Sequence, residues 1–191
     1  MSTEPAPQET PAPDLKALWT RCALFVAVVG VLGSLHLSLG MDPPLRACPL
    51  CFYQRAFIMA AAGVLAFATF LPGTPTAALT VLALPAAVAG GGIAGWHTYL
   101  DWTGVLECPM GVTGALTAPQ ESLIVFALLV ALLLGDLFHQ SKYVMQGIGA
   151  ALLGVVFCTT CIKGVPEKQT EPHPAPLDGC RKSVPPAAVK N

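Results

Sequence analysis

The sequence predicts an all-α membrane protein, a bundle of helices that crosses a bilayer several times. Of its 191 residues, 54% are hydrophobic and only 11% are charged, and the mean hydropathy is +0.64. A soluble domain carries about 25% charged residues. The apolar residues gather in five segments, each near the roughly 20 residues that span a bilayer as a helix. The net charge of −1 offers no basic surface for a nucleic acid, so none is expected as a partner.

These segments divide the chain into three parts. Residues 1–14 are rich in Pro, Glu, Gln and Thr without an apolar period, so we expect a disordered N-terminal segment. They lack the basic stretch of a signal peptide, and the first apolar segment is therefore expected to be retained. A transmembrane helical bundle over 15–163 and a flexible, Pro-rich tail over 164–191 follow. The expected spans run over about 18–39, 52–71, 77–100, 122–138 and 143–162.

Two of the connections between spans are short and two are long. Pro72-Gly-Thr-Pro75 predicts a tight turn between the second and third spans, and His139–Lys142 joins the fourth to the fifth. The long connections, about 40–50 and 101–121, both contain cysteine, and so does the tail. Because five crossings place both long loops and the tail on one side of the membrane, the cysteines are expected to gather there.

The positive charges indicate which side this is. Lys16, Arg21 and Lys142 fall on the opposite side, and positive residues favour the cytoplasm. Arg46 and the lysines of the tail oppose this bias but do not reverse it. We therefore expect a cytoplasmic N-terminus and cysteine-bearing loops in the periplasm. Six of the seven cysteines would then lie on or near the outer face, with Cys22 at the inner one: Cys48, Cys51, Cys108, Cys158, Cys161 and Cys180.

Cys48 and Cys51 form a Cys-x-x-Cys motif where the second span begins. Such a pair is usually a metal clip or a redox dithiol. At a helix N-terminus, unpaired N–H groups and the helix dipole stabilise a thiolate. Arg55 lies one turn beyond Cys51 on the same face, and an arginine inside a membrane is costly and usually functional. Its guanidinium can donate hydrogen bonds to a carbonyl oxygen such as that of a quinone. The alternative is a structural disulfide, with Arg55 reaching out to the headgroups.

The stretch Arg46-Ala-Cys-Pro-Leu-Cys-Phe-Tyr-Gln-Arg55 resembles the bacterial disulfide bond formation protein B (DsbB) family, and the resemblance extends over roughly residues 15–140. It implies a four-helix core in the bacterial inner membrane, and the fifth apolar segment of this chain adds an expected fifth helix. Members take electrons from a periplasmic thioredoxin-fold thiol oxidase and pass them to a quinone, ubiquinone or menaquinone. The resemblance implies that Cys48 exchanges with a second cysteine pair and that Cys51 faces the quinone. It also implies that Arg55, together with His97 in Gly-Trp-His-Thr-Tyr-Leu, helps to hold the quinone.

The second cysteine pair departs from the family pattern, which places two cysteines in the second outer loop. Here that loop holds only Cys108, the fifth span ends in Cys158-Thr-Thr-Cys161, and the tail carries Cys180. Either Cys158 and Cys161 form an exchange dithiol while Cys108 pairs with Cys180, or Cys108 pairs with one of the two. A disulfide that closes so short a loop adds little stability. We therefore expect Cys158 or Cys161 to take part in electron transfer.

Neither a metal nor a haem cofactor is expected. Cys161 is followed by Ile162 and not by histidine, which excludes a c-type haem site. Two Cys-x-x-Cys pairs can in principle hold zinc in a tetrahedron, but zinc ribbons are compact soluble loops and each pair here abuts a membrane span.

Three functions remain open at this point. The leading interpretation is a quinone-linked thiol oxidase, in contact with membrane lipid, quinone and a periplasmic thiol partner. A vitamin K epoxide reductase-like enzyme ranks lower, because there the loop cysteines precede the membrane Cys-x-x-Cys. The third is a non-catalytic DsbB-like accessory subunit of a larger membrane complex, with its cysteines in structural disulfides.

Overall fold

The computed structural model of the protein describes residues 15–40, 47–70, 76–165 and 179–182. A π-helical turn, His36–Gly40, continues the first helix, and a 3-10 turn, Ser141–Tyr143, joins the last two. Two short strands, β1 (Leu106–Glu107) and β2 (Arg181–Lys182), pair antiparallel. The long helices are α1 (Leu15–Leu35), α2 (Pro49–Phe70), α3 (Thr76–Trp102), α4 (Ala118–His139) and α5 (Val144–Lys163).

All five helices are long and apolar enough to cross a membrane. The protein is therefore an all-α polytopic membrane bundle, as the sequence predicts. The second and fourth spans begin earlier than expected, at Pro49 and Ala118, because proline suits the first turn of a helix, where its missing N–H is not needed. The segment expected to be disordered, 1–14, and the expected tight turn at 72–75 lie outside the described residues.

α3 is the central helix, and α2, α4 and α5 all pack against it, while α1 packs on α2 and α4. Small residues permit this closeness. A Cβ atom added at Gly90 would lie 2.2 Å from the ring of Phe126 on α4. One added at Gly154 of α5 would lie 2.8 Å from the carbonyl oxygen of Pro85. Since lipid tails are as apolar as the helices, such close contact is what holds membrane helices together.

One end of the bundle, where α2 and α4 begin and α3 and α5 end, is called the thiol end below. Six cysteines belong to one apolar packing cluster there, together with Leu50, Ile93 and Leu106. Cys22 lies apart from them on α1. The gathering of six of the seven cysteines at one end, predicted from the order of spans and loops, is confirmed. The six are Cys48, Cys51, Cys108, Cys158, Cys161 and Cys180.

The two-stranded ribbon brings part of the tail back to this end. Leu106 pairs with Lys182, and Glu107 pairs with Arg181. Continuing this antiparallel register by one residue sets Cys108 opposite Cys180. The sequence predicts a tail that is flexible throughout, whereas Arg181 and Lys182 are held by backbone pairing. This pairing was not predicted because a strand of two residues is too short to show the alternation of apolar and polar residues that identifies a strand in a sequence.

Candidate active site

Cys48 is the N-cap residue of α2. Its carbonyl oxygen accepts the first helical hydrogen bond, from the N–H of Phe52 at 2.9 Å. Its Sγ accepts the N–H of Cys51 at 3.2 Å, the contact that a serine or aspartate oxygen makes at this position. The sulfur of Cys48 therefore lies against unpaired N–H groups at the positive end of the helix dipole, which favours its thiolate form.

Cys51 follows one turn later, and its Sγ lies 3.0 Å from that of Cys48. Both are thiols in this structure. The S–S bond of a disulfide is about 2.05 Å long, so a small movement of either side chain suffices to join them. The position of the pair at the start of a membrane helix, predicted from the sequence, is confirmed.

His97 on α3 is completely buried and faces sulfur. Its Nε2 lies 3.3 Å from the Sγ of Cys108 and 3.9 Å from that of Cys48. Its Nδ1 lies 3.2 Å from the side-chain amide nitrogen of Gln54, which is also buried and fixes the ring. An imidazole between two thiols is placed to take up and return a proton during exchange.

Cys180 completes the group. Its Sγ, those of Cys48 and Cys51, and a ring nitrogen of His97 all lie within 4.8 Å of one another. Cys180 is only 6% exposed, and its thiol also hydrogen-bonds to Cys108. The thiol cluster is defined as Cys48, Cys51, Cys108 and Cys180 with His97.

Hydrogen bonds inside the thiol cluster divide its protons unequally. The bond from Cys180, followed by that from Cys51, holds the pKa of Cys48 far below its usual value, although burial acts the other way. The bond from Cys180 likewise lowers the pKa of Cys108 to about 7. The pKa of Cys180 itself is raised, because its thiol donates to Cys108, Cys48 and Cys51. Nucleophilic thiolate character therefore falls on Cys48 and Cys108, and the proton stays on Cys180.

Arg55 is anchored to the end of α1. Its Nε–H donates to the Oγ of Ser34 at 2.9 Å, and an Nη2–H donates to the carbonyl oxygen of Ser34 at 3.0 Å. It also donates to the hydroxyl of Ser38 in the π-helical turn. These bonds occupy only part of the five N–H donors of a guanidinium. The charge is thus fixed within the protein, rather than reaching out to the headgroups, with donors left over.

A cavity of about 400 Å³ opens beside Cys51. Volumes of roughly 300–1,000 Å³ are typical of small-molecule sites. Cys51, Gln54, Arg55 and Cys180 are among its polar lining residues, and Cys48 does not line it. The apolar lining comes from α1, α2, α4 and the loop before α4 and includes Val29, Leu37, Ile58, Val112, Leu116, Ile124, Val125 and Phe126. The cavity thus suits an apolar molecule with a hydrogen-bonding head.

Some of the predicted site residues contact both the thiol cluster and the cavity, and others contact only one of them or neither. His97 contacts the thiols but does not line the cavity, so its predicted part in holding a cofactor stays a prediction. Cys158 packs on α3, where its Sγ lies 2.6 Å from the position of a Cβ at Gly92. Among the described residues, the group of close ligand atoms contains neither Cys158 nor Cys161, and the cavity is not lined by them. Their predicted role in electron transfer also stays a prediction.

The sequence analysis missed three residues that position this site. Gln54 holds His97, and Ser34 with Ser38 holds Arg55. A signal was present in each case, because a buried amide inside a membrane span is unusual and serines four residues apart share one helix face. What the sequence did not show is which partner each of them meets across the bundle.

The comparisons with known proteins agree with this geometry. The family model of the disulfide bond formation protein DsbB matches residues 16–123, more than half of the chain. The matched part contains Cys48, Cys51, Arg55, His97 and Cys108, and it ends before α5 and Cys180. No curated protein and no solved structure matches the chain. By its family match, supported by the fold and the site, the chain belongs to the DsbB family of disulfide bond formation proteins.

Proposed function

We propose that the protein is a quinone-linked membrane thiol oxidase, which passes electrons from a periplasmic thiol partner through two cysteine pairs to a membrane quinone. The observation that carries this proposal is the meeting of the thiol cluster and the apolar cavity at Cys51. Both sulfurs of the Cys-x-x-Cys pair belong to the thiol cluster, and of the two residues only Cys51 also lines the cavity. Membership of a disulfide-forming family supports the same chemistry.

The second cysteine pair is assigned to Cys108 and Cys180. The β1–β2 register sets them opposite each other, and their thiols are hydrogen-bonded. Directly opposed residues of an antiparallel pair have Cβ atoms about 4.5–5.5 Å apart, and a disulfide needs about 3.5–4.5 Å. A small adjustment of the ribbon therefore permits the bond. Cys180 thus supplies from the tail the cysteine that the family pattern places in the second loop.

Electrons pass along this arrangement in two exchanges. Two thiols of the partner reduce the Cys108–Cys180 disulfide, and the partner leaves with a disulfide of its own. Cys180 passes its proton to the Cys108 thiolate to which it is hydrogen-bonded, and its sulfur, within 4.8 Å of that of Cys48, then attacks Cys48 of the Cys48–Cys51 disulfide, so that Cys51 leaves as a thiolate. Attack by Cys108 on Cys180 restores the second disulfide and frees Cys48. The two electrons now reside in the Cys48–Cys51 dithiol, and His97 carries protons between the sulfurs of Cys48 and Cys108.

The residues of the cavity fit a quinone. Its apolar walls suit the ring and tail, and the remaining N–H groups of Arg55 can donate to a ring carbonyl oxygen beside Cys51. When bound, a quinone supplies an acceptor for two electrons and two protons. Ubiquinone and menaquinone share these features. The cavity lining supports this ligand class, and experiment must choose between the two quinones.

We also propose a location and a partner for this reaction. Disulfides form and persist in oxidising compartments, and the chain belongs to a disulfide-forming family; the positive charges are divided, with Arg21 and Lys142 away from the thiol end and Lys163, Arg181 and Lys182 at it. Together these favour a bacterial inner membrane with the thiol end in the periplasm. A thioredoxin-fold thiol oxidase, free or within a larger membrane complex, is then the fitting electron donor.

Quinone reduction by the purified protein in detergent tests the proposal. Reduced thioredoxin-fold oxidase serves as the protein donor, dithiothreitol as the small donor, and quinone absorbance is followed. We expect turnover with both donors. Cys180→Ser should lose turnover with the protein donor by at least a hundredfold. It should keep part of the turnover with dithiothreitol, which can reduce the Cys48–Cys51 disulfide directly.

Two other outcomes have definite meanings. An unmodified protein that reduces no quinone with either donor would be the non-catalytic accessory subunit. Full activity of Cys180→Ser with the protein donor would remove Cys180 from the second pair. Cys22→Ser, which changes a thiol far from the cluster, is the matched control and should behave as the unmodified protein does.

A further inference from the structure

The thiol cluster also has the composition and size of a metal-binding site. Three sulfurs, of Cys48, Cys51 and Cys180, and a ring nitrogen of His97 lie within 4.8 Å of one another. In tetrahedral zinc sites the Zn–S distance is about 2.3 Å and the Zn–N distance about 2.0–2.1 Å, which corresponds to ligand separations of about 3.5–3.8 Å. The 3.9 Å between Cys48 and His97 is close to this value. The 3.0 Å between Cys48 and Cys51 needs only a slight opening.

The surroundings of His97 match those of a metal ligand. Histidine ligands usually have their second ring nitrogen held by a hydrogen bond, which fixes the ring and its tautomer. Gln54 makes this contact to Nδ1 at 3.2 Å. The amide nitrogen of Gln54 faces Nδ1 in this structure; turning the amide over by 180° keeps the contact, lets the carbonyl oxygen accept Nδ1–H, and leaves the lone pair of Nε2 pointing at the sulfurs. Three cysteines and one histidine are a common donor set for zinc.

We propose that the fully reduced protein binds one Zn²⁺, or a cation of the same thiophilic class, through Cys48, Cys51, Cys180 and His97, and that the oxidised protein does not. All three sulfurs bind as thiolates, so binding releases the protons that Cys51 and Cys180 carry and transfers no electron. A disulfide between Cys48 and Cys51 removes two donors, and one between Cys108 and Cys180 removes a third. The site thus exists only between the reduction of the cysteine pairs and their reoxidation. On the function proposed above, metal that occupies Cys48 and Cys51 competes with their oxidation.

Co²⁺ titration of the full-length protein in detergent tests this site. The protein is reduced with a phosphine, freed of quinone, and followed by its absorption. We expect one Co²⁺ per chain, with a thiolate-to-cobalt charge-transfer band and the intense visible bands of a tetrahedral site, both abolished by an equivalent of Zn²⁺. Protein oxidised with diamide should show neither. Absence of the charge-transfer band in the reduced protein would overturn the proposal, as would an equal band in the oxidised protein.

This comparison needs no substitution, no partner and no quinone. Its result is therefore independent of any failure of the proposed oxidase activity. A protein that binds Co²⁺ in the reduced state but never reduces a quinone would keep the metal site and lose the oxidase. The reverse result would keep the oxidase and lose the metal site.

Variants then assign the ligands. Cys180→Ser should weaken Co²⁺ binding at least tenfold, and Gln54→Leu, which frees the ring of His97, should weaken it about 10- to 100-fold. The matched control replaces the three thiols outside the cluster, Cys22, Cys158 and Cys161, with serine and should bind as the unmodified protein does. Loss of the bands in this control would place the metal at the end of α5 and overturn the assignment. Unchanged binding by Cys180→Ser would overturn it equally.

Discussion

The two cysteines at the start of α2 have different surroundings, and the roles proposed for them rest on this difference. The sulfur of Cys48 caps the helix and touches the thiol cluster, whereas Cys51 lines the cavity. A residue at an N-cap and one three positions later lie across a single turn, so the pair can form a disulfide while Cys51 also lines the cavity. The Cys-x-x-Cys spacing therefore connects thiol exchange with cavity chemistry.

Replacement of Cys51 with serine should abolish quinone reduction and leave the fold intact. Serine keeps the size of the side chain and the helix, but it cannot form the disulfide that accounts for the two electrons. The rate of quinone reduction measures the loss, and helix content by circular dichroism measures the fold. If the purified variant still reduces quinone, Cys51 is not the residue that passes electrons to it.

Arg55→His should raise the apparent KM for quinone roughly tenfold to a hundredfold. The reason is that a hydrogen bond to a charged group contributes about 1.5–3 kcal/mol, and histidine cannot reproduce the guanidinium held by Ser34 and Ser38. Initial rates over a range of quinone concentrations give the KM. Ser38→Ala, which removes one of the anchors but keeps the charge, should cause a smaller increase. An unchanged KM in Arg55→His would mean that this arginine does not contact the quinone.

Alkylation of Cys108 in reduced, metal-free protein should rise with pH through a midpoint near 7, because the pKa of this thiol is lowered to about 7 from its usual higher value. The lowered pKa means that the thiolate stabilises the fold fully above pH 9 and that this contribution is lost as the pH falls through 7. Site-resolved mass spectrometry after timed alkylation gives the midpoint. In Cys180→Ser the midpoint should move up, since the hydrogen bond from Cys180 is the largest cause of the shift. A midpoint near 9 in both proteins would contradict the arrangement.

At the scale of elements, the helices and the Cys48–Cys51 motif were predictable from sequence, whereas the proposed pairing of Cys108 with Cys180 was only one of two arrangements left open. Long apolar runs fix a membrane helix because lipid leaves the backbone no other way to satisfy its hydrogen bonds. Cys48 and Cys51 are linked by local spacing alone. Cys108 and Cys180 meet through a ribbon of two residues on each side, whose sequence carries no periodic signal. The family match also ends at residue 123, before α5 and the tail.

The packing of α5 on α3 supports the path of the chain to its tail. Gly154→Ala should lower the free energy of unfolding by about 1–3 kcal/mol, the usual cost of overpacking, because the new Cβ would lie 2.8 Å from the backbone oxygen of Pro85. Gly149→Ala on the same helix is the control. A Cβ there meets nothing within 4 Å, so only the better helix propensity of alanine remains. Thermal unfolding in detergent compares the two, and equal melting temperatures would contradict the contact between α3 and α5.

The cysteines at the end of α5 have a test of their own. The sequence predicts that Cys161→Ser traps a mixed disulfide with Cys48, Cys108 or an external partner, which mass spectrometry of non-reduced digests detects. The structure favours a smaller part for these two cysteines in electron transfer, because Cys158 and Cys161 lie outside the thiol cluster. Replacement of both with serine should therefore keep at least half of the oxidase activity if Cys108 and Cys180 form the exchange pair. A tenfold or larger loss of oxidase activity in this variant would show that Cys158 and Cys161 do take part in electron transfer.

At the scale of the whole molecule, the fifth helix determines on which side of the membrane the chain ends. Four spans would return the tail to the side of the N-terminus, away from Cys108. The fifth carries it to the thiol end, where β2 pairs with β1 and Cys180 enters the cluster. The fifth helix and the position of Cys180 in the tail therefore depend on each other. Without a fifth crossing, a cysteine in the tail would lie on the other side of the membrane from Cys108.

A reporter fused after Asn191 should therefore read as periplasmic. The physical reason is that β1 and β2 can pair only when the loop before α4 and the tail lie on the same side of the membrane. Arg21 and Lys142, at the other end, favour the cytoplasm for that side. Alkaline phosphatase fused after Asn191 should be active, and the same enzyme fused after Phe70, where α2 ends, should be inactive. A cytoplasmic result for the full-length fusion would separate Cys180 from Cys108 and remove the proposed second pair. Periplasmic results for both fusions would instead mean that one of the first two helices does not cross the membrane.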